Sequence, residues 1–158
     1  MSGFKTKART IELLGRKQIR DSVTALAELM KNAYDADAPW LRVEFVTTGA
    51  NQHVVIADTG LGMSQNDIES KWLVLGTNSK TKRVNKTSPS GRPLMGAKGI
   101  GRLASATLGK QLWMFTKTEN ALWNIVFINW DLFENPYISI EEVSVPTRFG
   151  ISGQELIV

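Results

Sequence analysis

Apolar residues in the stretch 21–36, DSVTALAELMKNAYDA, recur at three- and four-residue steps: Val23, Leu26, Ala27, Met30 and Ala33. That period predicts an amphipathic helix opened by Asp21 or Ser22 as N-cap and ended before Pro39. From Trp40 the period changes. WLRVEFV (40–46) alternates and QHVVIA (52–57) is a short apolar run, so the Thr-Gly-Ala-Asn between them predicts a hairpin. Ser64-x-x-Asp67 opens a second helix over 64–75, because a hydroxyl and a carboxylate three residues apart can satisfy two helix-start N–H groups. Residues 76–99 lose periodicity and are dense in Gly, Pro, Ser, Asn and Lys, which predicts a long loop. A short helix follows over 100–108, closed by Gly109, and then three strand-like runs: 111–118, 121–130 and 137–145, with Asn120 at the first turn. The order predicts an α/β fold in which helices cover one face of a sheet. The five Trp and six Phe fall mostly in the strand-like runs, which assigns them to core packing rather than to base stacking.

At 158 residues the chain can close one core, so 1–158 is expected to be a single domain. It has no cysteine, which removes disulfide frameworks, thiolate zinc sites and thiol catalysis from consideration. The N-terminus is basic without an apolar segment and no run reaches the length of a membrane span, so a soluble cytoplasmic protein is expected, with no membrane partner. Charge sharpens the picture. Residues 70–118 hold ten Lys/Arg and no acid, whereas the flanks are net −1 and −5. Such a segment predicts an anionic partner, either the phosphates of a small ligand or a nucleic-acid backbone, against the plainer reading of a solvated basic loop.

Three groups of residues carry chemistry. Glu28, Asn32 and Asp35 share one helix stripe, since at about 100° per residue Asn32 lies roughly 40° and Asp35 roughly 20° from Glu28. Two carboxylates and an amide there could serve Mg²⁺ and proton transfer, or could be an ordinary wet helix face opposite Val23, Leu26 and Met30. In V-V-I-A-D-T-G-L-G-M (54–63), Asp58 ends an apolar strand, and Gly60 and Gly62 let backbone approach a flat ligand. Asp-Thr-Gly also occurs in aspartic proteases, but the Leu-Gly that follows and the lack of a second apolar-apolar-Gly signature weigh against that reading. In G-A-K-G-I-G (96–101), glycines before a helix offer N–H groups to phosphate, with Lys98 and Arg102 adding charge.

In this order and spacing the three motifs resemble the GHKL superfamily of ATPases, typified by gyrase B, the ninety-kilodalton heat-shock chaperone, sensor histidine kinases and MutL, over roughly residues 10–130. The resemblance implies a Bergerat fold: a two-layer α/β sandwich with a mixed, mostly antiparallel sheet and a mobile lid over 76–99. It implies ATP and Mg²⁺ as ligands. Glu28 is similar to the general base, Asn32 to the Mg²⁺ ligand, and Asp58 to the acid that holds the adenine amine. Asp35, Gly60, Gly62, Met63, Thr77, Gly96, Ala97, Lys98, Gly99, Ile100 and Gly101 match the nucleotide pocket. The family's late Gly-Thr has its best counterpart in Gly153-Gln154, so Gln154 is expected to support Asp58. The Glu-Asn-Asp spacing resembles the gyrase, chaperone and MutL side rather than the kinases, and the sole histidine, His53, falls in a strand. The resemblance implies an N-terminal module of a longer protein, acting with a downstream domain, a partner protein or a second copy in an ATP-dependent homodimer. The expected function is Mg²⁺-dependent ATP binding with slow hydrolysis. The rivals are a non-catalytic ATP-sensing module and a nucleic-acid-binding domain using the 70–118 cations.

Overall fold

The computed structural model describes residues 5–19, 21–75, 87–96 and 101–156. Helix α1 (Arg9–Gln18) precedes α2 (Ser22–Asp35). The first of these was not anticipated, because Gly15 interrupts a weak apolar period. Asp21 caps α2 as expected: its carboxylate accepts from the Thr24 N–H at 2.8 Å and the Thr24 hydroxyl at 3.0 Å, and these bonds hold its pKa below the ordinary value.

The expected apolar stripe of α2 is buried only in part. Val23 is 75% exposed and Met30 47%, whereas Ala25, Ala33 and Asp35 are buried. Alanine at these points lets α2 lie close to the short elements at 101–108, and Ala25 forms a small cluster with Ile19 and Ala104, flanked by Leu29 and Leu108. Contact side and polar stripe therefore largely coincide, which directs Glu28, Asn32 and Asp35 toward the glycine-rich segment.

Strands β1 (Leu41–Val46) and β2 (His53–Asp58) form the expected antiparallel hairpin, with Leu41 opposite Asp58. A second sheet has the order β3 (Gln111–Thr116), β4 (Trp123–Asn129), β5 (Thr147–Ile151). Every strand pairing among the described residues is antiparallel. The third strand is not at 137–145. That segment contains a 3₁₀ helix (Ile140–Glu142) whose Ser139–Glu142 capping box competes successfully with extended pairing, leaving only a bridge from Lys7 to Ser139. Val126 and Ile128 on the inner face of β4 pack with Ala8, Ile11, Ile68, Leu103, Trp130 and Phe133. On the other face Trp113 and Phe115 remain 59% and 52% exposed, so core packing accounts for only part of the aromatic content. No helix among the described residues is long and apolar enough to cross a membrane.

The predicted helix over 64–75 is a single α-helical turn, α3 (Gln65–Asp67), continued by a π turn (Ile68–Trp72). Its capping box is present: Ser64 and Asp67 exchange backbone-to-side-chain hydrogen bonds, each of 3.2 Å. The Lys71 ammonium first, and then the Ser64 hydroxyl, hold the Asp67 carboxyl down at about 2 against an ordinary 3.8. A depressed folded value means that this contribution to stability is complete above pH 3.8 and is lost as the pH falls toward 2. Asp67→Asn should thus lower the melting temperature at neutral pH, with the gap to wild type narrowing in melts taken from about pH 4 down to about pH 2.

Candidate functional site

The C-terminal half of α2 runs antiparallel to the chain that leads into the glycine motif, and meets it at successive points. Nearest the helix end, Asp37 accepts from Ser90 N–H at 3.0 Å and from the hydroxyls of Ser88 and Ser90. Next, Asp35 accepts from the backbone N–H groups of Met95 at 2.8 Å and Gly96 at 3.0 Å. Further back along the helix, Gly101 sits against Asn32 and Glu28. A Cβ there would lie 3.2 Å from Asn32 Nδ2, 3.4 Å from Asn32 Oδ1 and 3.5 Å from Glu28 Oε2. The other Glu28 oxygen, Oε1, accepts from Lys31 Nζ at 2.7 Å. Sequence spacing alone placed three polar groups on one stripe; the structure gives that stripe a counterpart.

Asp58 reaches the same helix from the sheet. Its Oδ1 accepts from Gly60 N–H at 2.8 Å, closing a tight turn, and Leu61 N–H donates to Ala36 O at 2.8 Å. Gly60 is packed so closely that an added Cβ would stand 2.8 Å from Ala36 Cβ and 2.9 Å from Ala36 O. The turn 58–62 is thereby bolted to the end of α2. Its far side is held by the second sheet: Thr116 Oγ1 accepts from Met63 N–H at 3.0 Å, and Asn124 Nδ2 donates to Met63 O at 3.0 Å. Both residues are buried polar side chains on the inward face of their strands. The sequence reading did not select them, although a polar residue at an inward position of an alternating strand is a usable signal.

Several expected site residues take other places. Asp35 is only 8% exposed and holds the loop backbone in its carboxylate. Gly96 gives its N–H to Asp35, so this glycine serves as an anchor rather than as an open phosphate donor. Gln154 lies exposed in the turn after β5, where Ser152 and Glu155 bond to each other, and no described hydrogen bond joins it to Asp58. Thr77, Ala97, Lys98, Gly99 and Ile100 lie outside the described residues, as do 76–86 of the expected lid. The described remainder, 87–96, is a bridged turn tied to α2: Thr87 pairs with Pro93, and Ser88 N–H donates to Arg92 O at 2.8 Å. The basic run is also less open than its composition suggests. Lys71, Arg92 and Lys110 each face an acid from outside it, namely Asp67, Asp37 and Asp131.

A strand-end acid on a glycine turn, and a helix whose Glu, Asn and Asp meet Gly96 and Gly101, are the site features of an ATP-binding domain of the GHKL type. The model of the "Histidine kinase-, DNA gyrase B-, and HSP90-like ATPase" family matches residues 20–147, and the chain belongs to that family. Among its relatives, it is similar to a putative type II restriction enzyme, HgiDII, of Herpetosiphon aurantiacus, at 39% identity over 77 residues, which are 49% of this chain and 12% of that protein. It is also similar to ATPase morc-1 of Caenorhabditis elegans, at 42% identity over 45 residues, 28% of this chain and 5% of that protein. The matched stretches thus span a small part of each relative's length.

Proposed function

We propose that the chain is a single module that binds ATP with Mg²⁺ between α2 and the turn 58–63, and hydrolyses it slowly. The observation that carries this reading is the convergence of Asp58, through Gly60 and Ala36, with the helix whose Asn32 and Glu28 face Gly101. Adenine would lie against the glycine turn, its exocyclic amine donating to Asp58. Gly60 and Gly62 let that turn pack against Ala36 and the Lys117 backbone, where no side chain would fit, and so fix the wall on which the ring would lie. The phosphates would extend toward Gly101, at the N-terminus of the 101–108 segment.

The donor set fits Mg²⁺. Mg²⁺ characteristically takes only one or two protein oxygens, the rest coming from water and phosphate, and Asn32 beside Gly101 offers one amide oxygen. Asn32 Oδ1 would be the protein ligand. When bound, the ion would supply charge neutralisation for the phosphates. Glu28, with Oε2 toward Gly101 and Oε1 on Lys31, would orient a water and accept its proton as the water attacks the γ-phosphorus, while the bond from that phosphorus to the β,γ-bridging oxygen breaks and ADP leaves with its electron pair. Turnover is expected to be slow, because the Lys31 ammonium beside Glu28 is already paired with that carboxylate. The similarity to a restriction enzyme and to an ATPase of far greater length fits a module that works within a larger machine, with nucleotide state passed to a neighbouring domain, a partner or a second protomer.

Asp58→Asn tests the adenine end. It keeps one acceptor for Gly60 N–H but presents an amide where the adenine amine must donate. Affinity for ATP should fall by about 10²-fold or more, since a buried donor is left facing a donor. Calorimetric titration checks this, and near-wild-type affinity would remove Asp58 from the site.

A further inference from the structure

The end of α2 contains a residue that the helix itself does not favour. Asp37 N–H donates to Tyr34 O at 3.0 Å and Ala38 N–H donates to Ala33 O at 3.1 Å, the paired bonds of a Schellman cap. The residue at the left-handed position of such a cap is usually glycine. Here it is Asp37, at φ +59°. A side chain at that φ carries a conformational cost, and it persists where the surroundings use it.

The use is visible. The Asp37 side chain is 11% exposed and gathers Ser88 Oγ, Ser90 N–H and Ser90 Oγ, with Arg92 Nε 3.8 Å away. The hydroxyls of Ser88 and Ser90, in that order, hold its pKa below the ordinary carboxylate value. Arg92 completes the joint: Nη1 donates to Ala38 O at 3.1 Å, its backbone N–H donates to Ser88 Oγ at 3.1 Å, and its guanidinium stands 5.4 Å over the Tyr34 ring. All of these contacts fall on the turn 88–92, four residues before Gly96. Asp37, Asp35 and the Asn32–Glu28 pair thus meet residues 88–92, 95–96 and 101 in sequence, each step along the chain matched by a step back along α2.

We propose that Asp37 is a positioning residue for the phosphate end of the nucleotide: by fixing the turn 88–92 on the cap of α2, it sets the placement of Met95 and Gly96 on Asp35 and, beyond them, of Gly101 against Asn32 and Glu28. The claim rests on the nucleotide reading of the site given above. It concerns phosphate and not adenine. Asp58 is held through Gly60, Leu61 and Ala36, none of which bonds to the turn 88–92.

Asp37→Gly separates this role from helix capping, because glycine suits the left-handed position and leaves both Schellman bonds intact. The variant should melt within a few degrees of wild type. Titrated with adenosine and with magnesium-ATP, it should keep adenosine affinity within about twofold and lose about tenfold in magnesium-ATP affinity, the scale of losing hydrogen bonds to a charged group. Asp37→Asn tolerates the same φ and retains one acceptor, so it should fall between the two. An unchanged ratio of ATP to adenosine affinity in Asp37→Gly would overturn the proposal, as would equal losses for both ligands. If wild type binds adenosine and ATP equally, the phosphate end of the site is itself misassigned and the proposal falls with it; if it binds neither, the whole nucleotide reading falls.

Discussion

Glu28→Ala is expected to bind magnesium-ATP within about threefold of wild type while hydrolysing it about 10²- to 10⁴-fold more slowly, the range ascribed to a positioned general base. The geometry supports this split. Glu28 Oε2 faces Gly101 beside Asn32, where a γ-phosphate and its water would meet, but Glu28 makes no described contact with the turn around Asp58. Its loss frees Lys31, and an unpaired ammonium near the phosphates can only favour binding. Single-turnover hydrolysis, together with an equilibrium titration, separates the two effects. Hydrolysis at the wild-type rate would assign the base elsewhere.

Gly62→Ala should have the largest effect on the fold. Gly62 adopts φ +65°, and a Cβ there would stand 1.8 Å from Lys117 O, a backbone atom that cannot swing away. Left-handed strain costs about 1–3 kcal/mol and overpacking a further 1–3 kcal/mol or so. For a chain of this size the melting temperature should drop by roughly 10 °C. Nucleotide binding should weaken as well, because the glycine turn must move off the end of β3, taking the Met63–Thr116 bond with it. Gly153→Ala is the matched control, since a Cβ there meets nothing within 4 Å. Equal thermal stability of the two variants would contradict the close approach of the turn to Lys117.

The elements with strong local signals were legible in the sequence. The Asp21 cap, the alternation of β1 and the Ser64–Asp67 box all act within a few residues, and each reappears in the structure. What failed was decided at a distance. The apolar period of α2 included Ala33, which is buried, but it also pointed to Val23 and Met30, which are exposed, and it missed Ala25, whose small side chain packs with Ala104 because close approach matters more there than bulk. Residues 137–145 had strand composition, but Ser139 and Glu142 closed a local turn instead, and β5 formed from Thr147–Ile151, where Pro146 and Gly150 obscure the pattern.

The candidate site divides in the same way. Its motifs were readable because glycine, aspartate and asparagine at fixed spacing have few other reasons to occur together. The division of labour within them was not. Asp35 and Asp37 differ by two positions and look equivalent as letters. One is buried holding Met95 and Gly96, and the other occupies a left-handed cap holding Ser88 and Ser90. Thr116 and Asn124 were overlooked because their partner is the backbone of Met63, more than fifty residues away in the chain.

The most direct test of the account is an isothermal titration of the folded wild-type protein with a non-hydrolysable ATP analogue, run with Mg²⁺ and again with chelator. One site per chain is predicted, with affinity clearly strengthened by the metal. A flat titration under both conditions, from protein that melts cooperatively, would contradict the convergence of Asp58, Asn32 and Gly101 on one nucleotide.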